Sequence, residues 1–253
     1  NGKQVASGSD DGTIKIWDAT SGSCVKTLEG HGGWVRSVTF SHDGKQVASG
    51  SDDGTIKIWD ATSGSCVKTL EGHSGWVRSV TFSHDGKQVA SGSDDGTIKI
   101  WDATSGSCVK TLEGHGGWVR SVTFSHDGKQ VASGLDDGTI KIWDAISGSC
   151  IQTISINSTV TDVFFDHANA YLHTNIGRIQ IATTHTESFN QLDNPKCSSY
   201  GLGQANCWIT CNGQNVLWLP QEYRPYTSAM RGRKMALICH PGRVLIFSFS
   251  QDV

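Results

Sequence analysis

The motif VASGSDDGTIKIWDATSG, residues 47–64, occurs four times with small changes, starting at Val5, Val47, Val89 and Val131. It sets tryptophans at Trp17, Trp59, Trp101 and Trp143, each 42 residues from the next. A fixed period of that size reuses one supersecondary unit that cannot bury its own apolar faces, so neighbouring copies must stack. Val47 and Ser49 alternate in one run, and Ile56 and Ile58 in the next, which reads as two strands. Asp52-Asp53-Gly54 between them is a tight-turn signal, and the pair is an antiparallel hairpin. Residues 34–40 (WVRSVTF) predict a strand before the hairpin, entered through the turn Ser41-His42-Asp43-Gly44, and Cys66 to Leu70 predict one after it. Four short antiparallel strands per copy describe a blade of a β-propeller, expected to close radially with its neighbours.

The 253 residues suffice for one large all-β domain, and 30 glycines against 4 prolines suit many tight turns. A net charge of -3 gives no invitation to nucleic acid or an anionic membrane. No apolar run approaches the roughly 20 residues of a membrane span, and no signal peptide is visible. The chain starts at Asn1, partway through a repeat, and reads as a piece of a longer protein.

Cys24, Cys66, Cys108 and Cys150 recur once per copy, on successive blades. Disulfide geometry needs Cα atoms within about 7 Å, so free thiols and a reducing, cytoplasmic setting are expected. Cys197, Cys207, Cys211 and Cys239 lie in the irregular C-terminal part. On a strand, Cys207 and Cys211 would stand about 13 Å apart at roughly 3.3 Å per residue, and no second ligand pair has zinc spacing. No metal and no cofactor are expected.

Gly-His, a strand, SGSDDGT and IKIWD together resemble the WD-repeat family of propellers over residues 1–150. The resemblance implies four-stranded blades, usually seven, each with a polar network of His, Ser, Asp and Trp. By position these are His31, Ser49, Asp53 and Trp59; His73, Ser91, Asp95 and Trp101; and His115, Ser133, Asp137 and Trp143. The truncated first copy keeps Ser7, Asp11 and Trp17. Ser, His and Asp could be read as a hydrolase triad, which needs one activated nucleophile in a cleft. The same set three times at one spacing is instead a structural device: Asp holds the imidazole, the imidazole meets the Ser hydroxyl, and Ser accepts the indole N–H.

Function then falls to what the network leaves exposed. The resemblance puts the loop before the first strand and the hairpin turn on one rim, the one used for partners. Trp34 with Arg36, Trp76 with Arg78, and Trp118 with Arg120 stand near it, because Val35, Val38 and Phe40 and their counterparts take the core positions. Three blades would thus present a Trp–Arg stripe, of residue types that dominate interface hot spots and that stack on one another. The competing reading has each Trp merely cover its neighbouring blade. Copies differ mainly near this rim: Gly32 becomes Ser74, and Ser93 becomes Leu135, which is expected to be exposed there and to add apolar contact area. His42, His84 and His126 recur in the opposite turns, where divergence is expected to keep them solvated and apart.

Beyond Ile156 the repeat decays. Residues 159–165, 170–174 and 177–181 read as strands, with Ala182 in the Trp place and Ile176 in the Asp place; residues 187–199 read as a loop. Residues 207–220 form a hairpin with Trp218 in the Trp place, and 234–249 another with Phe247 there. The count nears 26 strands, which fits a seven-bladed ring whose first blade lacks its inner strand and whose last lacks its outer one. The regular repeats span 1–156, and degenerate blades completing the same propeller span 157–253.

The tail, WITCNGQNVLWLPQEYRP followed by GRVLIFSF, is similar to the end of fungal NACHT–WD-repeat proteins, which include heterokaryon-incompatibility receptors. That resemblance implies a sensor propeller behind an upstream NACHT module. No GxxxxGK[ST] loop occurs in this chain, so NTPase activity belongs to other residues. The expected function is non-catalytic recognition of a protein, or of a glycolipid or other ligand, on the Trp–Arg rim. A scaffold or ubiquitin-ligase adaptor is the alternative within binding functions. An enzyme would show a polar cluster that breaks the repeat and points into the central channel, and none is found.

Overall fold

The computed structural model describes residues 2–156, 158–181, 200–203, 206–212, 214–231, 234–239 and 243–249. The first sheet holds β1 (Gln4–Gly8), β2 (Ile14–Asp18) and β3 (Cys24–Leu28). The second holds β4 (Val35–Phe40), β5 (Gln46–Ser51), β6 (Ile56–Asp60) and β7 (Cys66–Leu70). The third holds β8 (Val77–Phe82), β9 (Gln88–Ser93), β10 (Ile98–Asp102) and β11 (Cys108–Leu112), and the fourth β12 (Val119–Phe124), β13 (Gln130–Leu135), β14 (Thr139–Asp144) and β15 (Cys150–Ser155). Three-stranded sheets follow: β16 (Val163–Phe165), β17 (Tyr171–Thr174) and β18 (Gly177–Gln180); β19 (Tyr200–Leu202), β20 (Trp208–Cys211) and β21 (Gln214–Trp218); β22 (Pro225–Arg231), β23 (Lys234–Cys239) and β24 (Arg243–Ser248). The architecture is an all-β WD-repeat propeller fold with seven antiparallel sheets among the described residues.

Turn chemistry sets each hairpin. Gly54 adopts a left-handed φ of 81°, and Asp53 Oδ1 accepts the Thr55 N–H at 2.9 Å and the Thr55 hydroxyl at 2.7 Å. The side chain thereby mimics a backbone turn and fixes the register Val47↔Trp59 and Ser49↔Lys57.

One contact recurs between sheets. Ile14, Ile16 and Leu28 of the first sheet pack on Val35, Val47, Trp59 and Ala61 of the second. Ile56, Ile58 and Leu70 repeat this against Val77, Val89, Trp101 and Ala103, and Ile98, Ile100 and Leu112 against Val119, Val131 and Trp143. Each unit has a forward Ile-Ile-Leu face and a backward Val-Trp-Ala face, so the sequence period becomes a packing period. The fourth sheet meets Val160, Val163, Leu172 and Ile179 in the same manner, although the fifth has lost the Trp.

The C-terminal part follows the expected order with differences in extent. Residues 159–165 are strand only at β16, because the Asn175 side chain takes the ladder's place upstream: its Oδ1 accepts the Thr161 N–H at 3.0 Å and its Nδ2 donates to the Thr159 carbonyl at 3.1 Å. Strands β19 and β22 lie outside the stretches named from the sequence, where Gly201 and Pro225 interrupt the strand pattern. The described residues hold 24 strands. Ala182, the expected loop at 187–199, Cys197, Gly213 and the turn at 240–242 lie outside them. Cys24, Cys66, Cys108 and Cys150 are free thiols, exposed on the outer strands. Among the described residues no helix is long and apolar enough to cross a membrane.

The Ser-Gly of each second strand marks a close approach between sheets. A Cβ on Gly92 would stand 2.5 Å from Val119 Cγ1 and 2.9 Å from Val122 Cγ1, and one on Gly50 would stand 2.6 Å from Val77 Cγ1. Overpacking of this kind costs about 1–3 kcal/mol. Gly92→Ala is therefore expected to lower the urea midpoint, whereas Gly86→Ser, at a turn open to solvent on the Cβ side, tests backbone strain alone. An unchanged midpoint for Gly92→Ala would contradict the packing.

Candidate functional site

Burial and hydrogen bonding divide the tryptophans into two sets. Trp59, Trp101 and Trp143 are buried, and their indole N–H groups donate to Ser49, Ser91 and Ser133 at 2.8, 2.8 and 3.1 Å. Ser49 Oγ meets His31 Nε2 at 2.7 Å, and His31 Nδ1 meets Asp53 Oδ2 at 2.9 Å; His73 repeats both contacts with Ser91 and Asp95 at 2.8 Å. Burial holds His31 and His73 below their ordinary values, against the pull of Asp53 and Asp95, so both imidazoles are neutral. Burial pushes Asp53 up, but hydrogen bonds from Thr55, His31 and Gly32 bring its carboxyl down to about 2. The serines are fully buried beneath the indoles, so no substrate reaches them.

In the fourth sheet the chain of bonds is broken. His115 Nε2 meets Ser133 at 3.2 Å, but the buried His115 Nδ1 has no partner. Ser51 and Ser93 each accept the N–H of Asp53 and Asp95 at 3.1 Å. Leu135 stands in their place and cannot, which removes one anchor of the turn that carries Asp137. Leu135 is itself fully buried, so it adds nothing to the exposed rim, contrary to expectation. A hydrophobic side chain next to a tight turn found the interior and not the solvent.

Trp34, Trp76 and Trp118 are 48%, 46% and 46% exposed. Arg36, Arg78 and Arg120 sit at register shifts in β4, β8 and β12, where a bulge turns the side chain out of the alternation. Each guanidinium then reaches the hairpin turn. Arg36 donates through Nε and Nη2 to Asp52 at 2.9 and 2.7 Å, Arg78 does the same with Asp94 at the same distances, and Arg120 clamps Asp136. Arg36 lies 4.5 Å from the Trp34 ring and 5.8 Å from Trp76; Arg78 lies 4.7 Å from Trp76 and 5.9 Å from Trp118; Arg120 lies 5.0 Å from Trp118. The result is a continuous Trp–Arg ladder across three sheets. Trp76 and Trp118 each take a guanidinium from the preceding sheet as well as from their own, and all three tryptophans still present about half of their surface. Gly33, Trp34, Asp52 and Trp76 line a shallow depression of about 250 Å³ on it.

Opposite turns hold a feature the spacing did not suggest. His42, His84 and His126 do not diverge: their ring centroids lie 4.0 and 4.1 Å apart, and His167 follows 6.0 Å from His126. These turns follow the innermost strands, where successive sheets approach most closely. The rings border a cavity of about 230 Å³ with Thr39, Thr81 and three phenylalanines. Partial burial and the neighbouring imidazoles hold His84 below its ordinary value. Among the described residues no three His, Cys, Asp or Glu side chains are arranged to hold a metal ion.

The WD domain, G-beta repeat family matches residues 1–18, 22–60, 64–102 and 106–144, more than half of the chain. The chain belongs to the WD-repeat family. The chain is 66% identical over 100 residues to vegetative incompatibility protein HET-E-1 of Podospora anserina, covering 40% of this chain and 7% of that protein. It is 60% identical over 40 residues to nuclear distribution protein PAC1 of Mycosarcoma maydis, covering 16% of this chain and 9% of that one. PAC1 of Gibberella zeae is 51% identical over 43 residues, covering 17% and 9%. The chain thus spans less than a tenth of the length of these relatives. WD-repeat propellers are in general non-catalytic protein-interaction modules, and no enzyme family is indicated.

The network makes stability pH-dependent with a definite sign. Burial holds His31, His73 and His115 below 6.5, His115 at about 4, so the unfolded chain binds these protons more readily. Their contribution is complete above pH 6.5 and is lost as pH falls through the folded values. Depressed carboxyls such as Asp53, at about 2, add loss only below pH 3.8, while Asp162, raised by burial, works the other way. Urea midpoints are expected to be flat from pH 8 to about 7 and to fall between about 6.5 and 4; a rise on acidification would contradict the buried neutral imidazoles.

Proposed function

We propose that this chain is the recognition propeller of a fungal NACHT-type receptor, and that the Trp–Arg ladder is its contact surface. The observation that carries this reading is the row of half-exposed indoles in which Trp76 and Trp118 lie between two clamped guanidinium groups and Trp34 lies against one. Truncating residues of these types at an interface commonly costs 2 kcal/mol or more, and aromatic anchors fixed in advance lose little entropy on binding. The similarity to an incompatibility protein supports the receptor context.

The ladder also narrows the partner. Arg36, Arg78 and Arg120 are each matched by a carboxylate of their own, while Asp53 and Asp95 beside them are held ionised. The rim is therefore aromatic and net anionic. It suits a protein segment of apolar or aromatic groups flanked by Lys or Arg, in a cytoplasmic setting and without a cofactor. Engagement would act by making or relieving contacts with a NACHT module elsewhere in the full-length protein. A general scaffold or adaptor role is the second reading, favoured by the single-repeat matches to PAC1 proteins.

The test is a pull-down from fungal lysate with the parent chain, a Trp34→Ala, Trp76→Ala and Trp118→Ala triple variant, and a triple Trp→Phe variant that keeps the packing. We expect a partner captured by the parent and by the Phe variant and lost from the Ala variant, with all three folded by circular dichroism. Equal capture by all three would refute the ladder as the contact surface.

A further inference from the structure

We propose that the turns opposite the Trp–Arg ladder form a binding site for a diphosphate group, held by the stacked imidazoles of His42, His84 and His126 together with the backbone N–H groups of His42 and His84. This goes beyond the ladder reading and does not depend on it.

Three features point to that ligand, and the charge of the row is the first. The three rings are exposed, stand 4.0 and 4.1 Å apart and border a cavity of about 230 Å³. The carboxylates beside them are committed to their own turns. Oδ1 of Asp43, Asp85 and Asp127 accepts the hydroxyls of Ser41, Ser83 and Ser125 at 2.7 Å and the N–H groups of Lys45, Lys87 and Lys129 at 3.0, 3.1 and 3.1 Å. The other oxygens of Asp43 and Asp85 face Lys45 Nζ at 3.8 Å and Lys87 Nζ at 3.7 Å, and Asp166 of the next turn faces Arg178 at 3.6 Å. Each His-Asp-Gly-Lys turn is thus balanced while its imidazole is neutral and gains one positive charge when the ring is protonated.

The second feature is an oxygen acceptor that the protein itself supplies one step further along. Asn169 Oδ1 accepts the His126 N–H at 3.0 Å. Asn169 holds the left-handed position of its turn, φ 54°, which Gly86 and Gly128 hold at 71° in the two turns before it. A Cβ on either glycine would meet nothing within 4 Å, and the N–H groups of His42 and His84 have no such acceptor among the described residues. Each of these two steps is therefore a niche with one backbone N–H and an imidazole on either turn, suited to a ligand oxyanion where Asn169 places a carboxamide oxygen. Spacing is the third feature. The rings advance by only about 4 Å per sheet, so two oxyanion groups must be joined through very few atoms. Same-face carboxylates of an acidic strand lie roughly 6.6 Å apart, at about 3.3 Å per residue, whereas phosphoryl groups sharing one bridging oxygen are closer. Charge-assisted bonds from imidazolium would replace the mutual repulsion of the rings, so affinity rises as pH falls through the histidine range.

The experiment is isothermal titration of the 253-residue chain with pyrophosphate, orthophosphate and ADP at about pH 6 and about pH 7.5, without divalent metal, while NMR follows the titration of His84. Two variants accompany it: His84→Gln, and a Gly86→Asn, Gly128→Asn pair that keeps every histidine and fills both niches as Asn169 does. Asn tolerates the left-handed turn conformation, and circular dichroism checks that both variants fold. We expect saturable one-to-one binding of pyrophosphate, at least tenfold tighter than orthophosphate and at least fivefold tighter at the lower pH. Binding should weaken at least tenfold in His84→Gln and be lost in the Asn pair, and saturation should raise the His84 midpoint. ADP bound as tightly as pyrophosphate would make the ligand's source a nucleotide, and pyrophosphate bound alone would make it a free condensed phosphate; either supports the site. No saturable binding, orthophosphate bound as tightly as pyrophosphate, equal affinity at both pH values, or undiminished binding by the folded Asn pair would overturn the proposal.

Discussion

The repeated sheets depend on the contact between a forward Ile-Ile-Leu face and a backward Val-Trp-Ala face. A buried indole removes roughly 150–250 Å² from water, a gross gain of about 4–6 kcal/mol at ~25 cal/mol/Å². The same indole carries one polar atom that must be paired. Ser49 pairs it for Trp59, and through His31 and Asp53 the bond runs from the interior to the rim turn. Packing and turn geometry are therefore not independent: the residue that joins two sheets also fixes the loop before the inner strand, next to Trp34.

The ladder is what that arrangement leaves over. A bulge at Arg36 turns the side chain away from the strand's alternation and onto Asp52, where it lies between indoles of adjacent sheets. Clamping neutralises the charge locally, so the surface is not a cationic patch. It is a row of half-exposed aromatic groups alternating with guanidinium groups that are each paired with a carboxylate. The interruption in the fourth sheet marks how local these links are. One Ser-to-Leu change at Leu135 coincides with an orphaned His115 nitrogen two turns of chain away.

Periodicity made the repeats legible. The hairpins, the Gly turns and the His-Ser-Asp-Trp positions all follow from residues that recur every 42 positions, and the same spacing placed Trp34 and Arg36 outside the core. What spacing does not contain is the distance between equivalent points on successive sheets. His42, His84 and His126 stack for that reason, and only the three-dimensional taper toward the innermost strands reveals it. Leu135 is another case: its position beside a turn suggested exposure, but β13 is buried on both faces from Val131 to Leu135, so the side chain lies in the interior. In the C-terminal part the strands that lacked β-branched alternation, β19 and β22, were missed, while β17, β18, β20, β21, β23 and β24 kept enough of it to be found.

The central claim is that buried tryptophans hold the sheets while exposed tryptophans stacked with clamped guanidinium groups form an ordered surface. Indole N–H NMR spectra of the chain labelled with ¹⁵N-tryptophan test this most directly, with hydrogen exchange and relaxation measured for each assigned signal. The account predicts slow exchange for Trp59, Trp101 and Trp143, and fast exchange with order parameters of about 0.85, the value of rigid backbone, for Trp34, Trp76 and Trp118. Low order parameters for the second set would show loose surface side chains and contradict a preformed contact surface; fast exchange in the first set would contradict the buried hydrogen bonds on which the stacking rests.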